Sequence, residues 1–487
     1  MPASTTAPPS TTAAPSTVSP TTATPSTTAP TTTPTSGTTI SPSVTSPTSG
    51  TTTPPTVTSP TSGTTTSPTV TSPSTVSPST TSPSITAPTP LPSTTVAPGT
   101  TVAPSPPIED RPVIKPLPKP ERLLDTRTRS DGTPAPPLAA GGFLTVPVAG
   151  LANVPENATS VAVNVTAVDP VTDGFLTVWP CGQTMPTASN VNYRQGETTP
   201  NLAIVKLDAR GRICVYSAQT TGIILDVAGY FGPESPFVSF NPTRILETRA
   251  NAGRVGYAST GERPRAGEII QLKVAGRNDV PNDAAGVVVN VTGVDATESG
   301  YVTVWPCGQT MPTASNLNLV QGHTRANLVV SKLGTNGRVC IYTERGTHLI
   351  ADIAGYFPAG SNYRAVTPER LLETRPAAGQ RGYGGDKPAA GDVIALDVTR
   401  VGTAQVPDDA SAVVLNVTAT EATADGFVTV WPCGDAMPTA SNLNLKAGQT
   451  APNLVVTKPG QNGLVCLATS GGTHLIADLA GYFPATG

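Results

Sequence analysis

Apolar and polar residues alternate with a period of two along most of the chain after residue 108, in short runs rich in β-branched side chains. Such alternation predicts half-buried β-strands. In the first copy of the pattern the predicted strands are Phe143–Val148, Ser160–Val168, Gly174–Trp179, Ser189–Tyr193, Leu202–Leu207, Ile213–Tyr216 and Ile223–Val227. No long stretch has helical periodicity, and parallel strands would need helical crossovers. The pattern therefore predicts an all-β, antiparallel protein.

The strand pattern occurs three times. Trp-Pro-Cys-Gly begins at Trp179, Trp305 and Trp431, 126 residues apart each time. A unit of that length is the usual size of an independent domain. We therefore expect three tandem antiparallel β-sandwich modules, jelly-roll or immunoglobulin-like, at residues 118–232, 237–358 and 363–484. These ranges are called the first, second and third repeat.

The first 108 residues have a different composition. They contain no charged and no aromatic residue, and consist almost entirely of Thr, Ser, Pro, Ala, Val and Gly. Such a segment cannot bury enough apolar surface to offset its chain entropy. We predict a disordered Thr/Ser/Pro-rich, mucin-like stalk over residues 1–108, either glycosylated or a plain spacer.

Charge and hydropathy exclude some partners. The net charge is −3 and no basic patch stands out, so we expect no nucleic-acid partner. No run of apolar residues is long enough for a membrane span. The beginning of the chain resembles no signal peptide, and we expect either a missing upstream segment or a wrongly assigned start of the sequence.

Each repeat contains two cysteines 33 residues apart. Equal pairs at equal spacing predict the disulfides Cys181–Cys214, Cys307–Cys340 and Cys433–Cys466. Disulfides form in oxidising compartments, so we expect an extracellular or cell-surface protein. A zinc site would need four ligands, and two cysteines per repeat do not supply them. We predict no metal and no cofactor.

A six-residue element opens each repeat with two arginines and a carboxylate, and an aspartate follows in the last strand. We predict that these residues form structural ion pairs that close each repeat, with a carboxylate- or sugar-binding clamp as the alternative. The residues are Arg122, Asp125, Arg127 and Asp226; Arg244, Glu247, Arg249 and Asp352; and Arg370, Glu373, Arg375 and Asp478.

The tryptophans and a recurring Thr-Ala-Ser-Asn segment are candidates for a sugar-stacking groove. The candidate ligand-binding residues are Trp179, Trp305, Trp431, Asn190, Asn316 and Asn442. Core packing of the tryptophan beside the disulfide is the favoured interpretation, and ligand binding is the alternative. Asn164, Asn290 and Asn416 match the glycosylation motif Asn-Val-Thr, but each lies inside a predicted strand. There a hydrogen-bonded, inward-facing polar side chain is expected.

The histidines argue against an enzyme. A histidine-based catalytic site would need a histidine in each copy, yet His348 and His474 correspond to Gly222 in the first repeat. We predict that the protein is not an enzyme.

Several motifs in fixed order resemble a known repeat. They are Glu-Arg-Leu-Leu-Asp-Thr-Arg, Val-Asn-Val-Thr-Ala, Phe-Leu-Thr-Val-Trp-Pro-Cys-Gly, Thr-Ala-Ser-Asn and Asp-Val-Ala-Gly-Tyr-Phe. The set is similar to an uncharacterised tandem β-module of secreted actinobacterial proteins, sometimes appended to cell-wall amidases or trypsin-like proteases. The resemblance implies an extracellular, accessory, non-catalytic role and supplies no binding residues.

These observations lead to a functional expectation. We expect adhesion to, or binding of, cell-wall or extracellular carbohydrate through tandem modules, which gain avidity from their number. The alternatives are a purely structural envelope or spacer protein and an accessory subunit of a secreted hydrolase. The identity of the polysaccharide, the anchoring mode, the oligomeric state and the relative orientation of the modules are left open by the sequence.

Overall fold

A computed structural model describes residues 107–129, 132–253, 255–257 and 262–485. All of them belong to one of two compact units of the chain, Pro98–Gly487. The predicted stalk over residues 1–108 lies outside the described residues except for its last two positions.

The described residues form β-strands joined by turns and five short 3-10 helices, without an α-helix. The first repeat contains β1 (Lys115–Asp125), β2 (Phe143–Pro147), β3 (Ser160–Val168), β4 (Gly174–Pro180), β5 (Val191–Tyr193), β6 (Thr199–Lys206), β7 (Arg212–Ser217) and β8 (Gly222–Phe231). The second contains β9 (Val238–Glu247), β10 (Ile269–Lys273), β11 (Gly286–Val294), β12 (Gly300–Pro306), β13 (Leu317–Leu319), β14 (Arg325–Lys332), β15 (Arg338–Thr343) and β16 (His348–Phe357). The third contains β17 (Arg364–Glu373), β18 (Val393–Asp397), β19 (Ala412–Thr420), β20 (Gly426–Pro432), β21 (Leu443–Leu445), β22 (Ala451–Thr457), β23 (Leu464–Thr469) and β24 (His474–Phe483). The 3-10 helices are Ile108–Asp110, Ala250–Ala252, Thr335–Gly337, Pro376–Ala378 and Gln461–Gly463.

The strands build six antiparallel four-stranded sheets, arranged as a six-bladed β-propeller with two blades per repeat. The first repeat has an inner blade of order β1-β8-β3-β6 and an outer blade of order β2-β7-β4-β5. The inner blades of the other repeats have the orders β9-β16-β11-β14 and β17-β24-β19-β22. Their outer blades are β10-β15-β12-β13 and β18-β23-β20-β21. Each blade therefore interleaves strands that are distant in sequence.

The prediction of an all-β protein is confirmed, but the expected three tandem β-sandwich modules, jelly-roll or immunoglobulin-like, are wrong. The six small blades form one arrangement instead of three separate sandwiches. The first strand was also not predicted, because β1 carries Pro116, Pro118 and Pro120. Proline is tolerated on edge strands, and β1 lies at the edge of its blade.

The physical reason for the error is that the inner blades are buried on both faces. Val161, Val163 and Val165 of β3 pack in a cluster shared by the two blades of the first repeat. Their neighbour Ala162, on the opposite face of β3, packs in a second cluster that contains residues of all three repeats. The small and polar residues of this face look solvent-facing in the sequence, yet every residue of β3 is buried.

Aromatic rings connect the repeats within this shared cluster. Phe237 lies 4.7 Å from Phe231 and 5.0 Å from Phe357, measured between ring centroids. Tyr363 lies 4.4 Å from Phe357 and 4.9 Å from Phe483. These rings belong to the ends of three inner blades and to the segments between them, so the repeats bury apolar surface against one another.

Six asparagines on the inner blades form hydrogen bonds that pass from each repeat to the next and close on themselves. The side-chain bonds run from Nδ2 to Oδ1: Asn201 to Asn290 at 2.9 Å, Asn327 to Asn416 at 2.8 Å and Asn453 to Asn164 at 2.8 Å. We call these residues the asparagine ring. Three of these asparagines, Asn164, Asn290 and Asn416, belong to the Asn-Val-Thr motifs, and they are buried and hydrogen-bonded. Their side-chain partners lie in a neighbouring repeat, which the sequence did not indicate. The ring ties all three repeats into a closed body.

Within the residues that the structure covers, no helix has the length and apolar character needed to cross a membrane.

Candidate functional site

The three predicted disulfides are confirmed. Cys181 bonds to Cys214, Cys307 to Cys340 and Cys433 to Cys466. In the first repeat each bond partner lies on or beside a strand of the outer blade, where Trp179 of β4 is directly opposite Cys214 of β7. The disulfide therefore fastens two neighbouring strands on the outward side of the blade, and the tryptophan packs against it.

The tryptophans predicted as ligand-binding residues are almost completely covered. The exposed fractions of Trp179, Trp305 and Trp431 are 6%, 3% and 5%. Each indole Nε1 donates to a backbone carbonyl four residues later, at 3.0 to 3.1 Å. The chain after the tryptophan folds back over the ring, so these side chains present almost no aromatic surface to a ligand.

The predicted ligand-binding asparagines hold the same loops in place. The Oδ1 atoms of Asn190, Asn316 and Asn442 each accept a hydrogen bond of 2.7 Å from a backbone N–H of the preceding strand. Their backbone carbonyls accept from members of the asparagine ring; for Asn190 the donor is Asn201 Nδ2 at 2.7 Å. All three are buried. These hydrogen bonds connect the outer blade to the inner blade, and they engage the side-chain Oδ1 atoms of all three asparagines.

The arginine–carboxylate residues form the same cluster in every repeat. In the second repeat, Arg244 donates to Asp352 at 2.7 Å and to Glu247 at 2.7 Å, and Arg249 donates to Glu247 at 2.8 Å. Burial raises the pKa of Glu247, but hydrogen bonds from Arg249 and the charge of Arg244 outweigh it and hold that pKa below its usual range. The carboxylate is thus ionised and fully engaged.

The equivalent bonds in the other repeats are Arg122–Asp226 (2.5 Å), Arg122–Asp125 (3.0 Å), Arg127–Asp125 (2.7 Å), Arg370–Asp478 (2.6 Å), Arg370–Glu373 (2.7 Å) and Arg375–Glu373 (2.8 Å). Two of the arginines also reach the preceding repeat. Arg244 donates to the carbonyl of Thr187 at 3.1 Å, and Arg370 donates to that of Thr313 at 3.4 Å. These clusters join strands and repeats, and their carboxylates are all paired with arginines.

Partly exposed aromatic side chains lie on the outward surface of the outer blades instead; Phe175 is exposed, and Tyr216, Tyr301 and Tyr342 are half-buried. Phe175 of β4 and Tyr216 of β7 have ring centroids 6.0 Å apart, tilted by 45°. Tyr301 and Tyr342 repeat this pair at 5.9 Å and 44°. Alternation along β4 points Leu176 and Val178 into the core, and therefore Phe175 outward.

A third apolar residue extends each of these surfaces. Phe143 of β2 is directly opposite Tyr216 across the blade and is 61% exposed. We call the resulting surfaces the aromatic faces: Phe143, Phe175 and Tyr216; Ile269, Tyr301 and Tyr342; and Val393, Phe427 and Ala468. The third face lacks one ring, because Ala468 replaces the tyrosine.

The sequence contained a signal for these faces that was not used. Phe175, Tyr301 and Phe427 occupy the same position in the three repeats. Along the alternating strand this position faces away from the core. The tryptophans four residues later, which lie close to a cysteine, were the candidate ligand-binding residues instead. In the described part of the chain, no group of three or more His, Cys, Asp or Glu side chains is placed to hold a metal ion.

Comparisons with known proteins give no family. No protein-family model matches the chain, and no curated protein matches it significantly. Among solved structures, an archaeal virus protein described by its triple jelly roll fold and turret assembly matches with a TM-score of 0.20 and 8% identity, over 77% of this chain and 91% of that one. A structure of Sulfolobus turreted icosahedral virus matches with a TM-score of 0.19 and 9% identity, over 75% of this chain and 91% of that one.

A third solved structure is the tandem CBM22 domain of Xyn10C from Paenibacillus barcinonensis. Its TM-score is 0.14 at 10% identity, over 50% of this chain and all of that one, 100%. TM-scores this low carry no argument about fold or function.

Proposed function

We propose that this protein binds extracellular or cell-wall carbohydrate without catalysing a reaction, and that the aromatic faces are its binding surfaces. The observation that carries the proposal is the repeated, outward-facing ring pair, Phe175–Tyr216 and Tyr301–Tyr342. Sugar rings have an apolar face of C–H groups that packs on an aromatic ring. Exposed apolar patches of this kind mark interaction surfaces, and tyrosine adds a polar edge for hydroxyl groups.

The location of the rings supports a polymer as the ligand. The pairs stand on regular strands, which hold side chains more rigidly than loops do. They recur on equivalent blades of one closed body, so one chain of a polysaccharide or neighbouring chains of a wall can engage more than one face. Engagement at two sites raises the apparent affinity without any new kind of contact.

The disulfides support the compartment. All three bonds lie in the described blades, and such bonds persist in oxidising surroundings. An exported protein that meets wall or matrix polysaccharide is consistent with this chemistry.

Retention on isolated actinobacterial cell walls tests the proposal. The variant carries Tyr216→Ala together with Tyr342→Ala, which gives both faces the alanine that the third repeat already has at position 468. If each ring contributes about 1 kcal/mol, the loss of two rings weakens binding by about thirtyfold. Leu151→Ala is the matched control, since it removes an exposed apolar side chain outside the faces.

Wild-type protein that is not retained by the walls contradicts the proposal. So does equal retention of the wild type and the double variant, provided that both have the same circular dichroism spectrum.

A further inference from the structure

A cavity of about 770 Å³ lies where equivalent loops of the three repeats meet. Its walls come from residues 194–197, from residues between 318 and 325, and from residues 446–450. Each segment begins at or directly after the short strand β5, β13 or β21 of an outer blade. One repeat alone cannot form this cavity, so it is a property of the closed body.

The three loops differ chemically at equivalent positions, and one of these is the residue after a glycine at Gly196, Gly322 and Gly448. The residue after the turn glycine is Glu197 in the first repeat, His323 in the second and Gln449 in the third. All three side chains line the same cavity. An acid, an imidazole and an amide together make an asymmetric, polar wall.

Positive charge predominates in the lining. Arg194, Arg325 and Lys446 are its cations, and Glu197 is its one carboxylate. Glu197 is buried and already bound: its Oε1 accepts from Arg325 Nη2 at 2.6 Å and also from Gln449 Nε2. That carboxylate holds the side chains of Arg325 and Gln449 in place and neutralises the charge of Arg325. Arg194 and Lys446 remain as the cations at the entrance.

The two entrance cations have only exposed partners. Arg194 lies 3.3 Å from Asp173, and Lys446 lies 3.0 Å from Asp425. Each aspartate also accepts a backbone N–H of the same loop, at 3.0 Å. Ion pairs between exposed side chains contribute little and exchange readily with other anions. Both cations can therefore turn toward a ligand carboxylate while the aspartates keep their backbone bonds.

Two polar atoms in the wall have no hydrogen-bond partner although solvent does not reach them: Nδ1 of His323 and Oδ1 of Asn318. The equivalents of Asn318 in the other repeats accept from a serine hydroxyl at 3.1 Å. Unpaired polar atoms of this kind are costly, and a bound ligand is one way to satisfy them. Burial, followed by the charges of Arg194 and Arg325, lowers the pKa of His323, while the charges of Glu197 and Asp173 oppose the shift.

We propose that this cavity binds a monosaccharide unit that carries a carboxylate, a hexuronate. Arg194 and Lys446 bind the carboxylate, while Asn318 and His323, both half-buried, rotate to bring their unpaired atoms to the hydroxyl groups. Tyr301 also lines the cavity and gives the sugar ring an apolar wall. The volume is within the range of small-ligand sites. This site needs neither Tyr216 nor Tyr342, but it shares Tyr301 with the second aromatic face. The test below changes only the two cations and leaves all three tyrosines in place, so a failure of this proposal is distinguishable from a failure of the proposed wall binding.

Isothermal titration of the full chain with D-glucuronate, and with D-glucose as the uncharged counterpart, tests the proposal. The variant is Arg194→Val with Lys446→Val, because valine is the residue that the second repeat carries there as Val320. Both positions are solvent-accessible, which favours retention of the fold. Arg210→Val is the control, since it removes a similar exposed cation outside the cavity.

The expected result is that glucuronate binds at least about tenfold more tightly than glucose, that the double variant loses about tenfold in affinity, and that Arg210→Val binds as the wild type does. Absence of glucuronate binding overturns the proposal. Equal affinity for glucose, or full affinity in a folded Arg194→Val/Lys446→Val variant, overturns it as well.

Discussion

Asn453 of the third repeat donates its side-chain amide to Oδ1 of Asn164 in the first repeat, 289 positions earlier, at 2.8 Å. The same amide donates to the carbonyl of Asn442 at 2.7 Å, and Asn453 Oδ1 accepts the backbone N–H of Leu202 at 2.9 Å. One buried side chain thus joins the two ends of the repeat array. The closed body depends on such bonds as well as on shared apolar packing.

Replacement of Asn453 by alanine is expected to destabilise the whole protein. It leaves buried donors and acceptors on two repeats unpaired, which costs about 3 kcal/mol of unfolding free energy. Urea unfolding followed by tryptophan fluorescence measures the change. Asn192→Ala, which removes only a hydrogen bond with Ser189, should cost about 1 kcal/mol or less. A cost for Asn453→Ala no larger than that control argues against a role for the ring.

Removal of the first disulfide through Cys181→Ala with Cys214→Ala should lower stability by ~3–4 kcal/mol. The bond spans 33 residues, and opening a loop of that length restores chain entropy to the unfolded state. The matching pair in the second repeat, Cys307 and Cys340, has the same span and should show the same loss. Thermal unfolding of the two double variants checks this. Melting temperatures unchanged from the wild type would contradict the expectation.

Stability should fall when the pH drops below about 6.5, in part because of His474. Burial, followed by the charge of Lys387, lowers the pKa of His474 from its ordinary value of 6.5, while Glu421 opposes the shift. The unfolded chain keeps the ordinary value and therefore takes up the proton more readily. The contribution of His474 is then complete above pH 6.5 and is lost progressively below it.

The measurement is urea unfolding at pH 7.5 and 5.5. His474→Gln, which keeps a polar side chain near Thr374, should lose less stability between the two pH values than the wild type loses. An equal loss in both proteins would show that other groups cause the pH dependence.

Local patterns in the sequence were sufficient for the strands and the disulfides. Alternation identified seven strands of the first repeat, and equal spacing identified the cysteine pairs. These local patterns did not predict how the three repeats are arranged in space. The second face of β3 carries Ala162, Asn164 and Thr166, which are small or polar and resemble a solvated face. Only partners that are distant in sequence show that this face is buried, as Asn453 does for Asn164.

The candidate site illustrates the same limit. Trp179 was a candidate for sugar stacking because it is aromatic, although core packing beside the disulfide was the favoured interpretation. The loop after it supplies the carbonyl of Gln183 and covers the ring, and the indole packs against the disulfide. Phe175, with no such loop above it, remains exposed. The cavity lined by Glu197 and His323 could not be foreseen, because its walls come from loops that are distant in sequence. The boundaries of the three repeats, 118–232, 237–358 and 363–484, remain a prediction.

Differential scanning calorimetry of the full chain tests the central claim, that the three repeats fold as one closed body, most directly. Shared apolar packing and the asparagine ring make each repeat depend on the other two. The account predicts one transition whose calorimetric enthalpy is about equal to its van't Hoff enthalpy, and Asn453→Ala should move that transition as a whole. Three separable transitions, or a calorimetric enthalpy about three times the van't Hoff value, would contradict it.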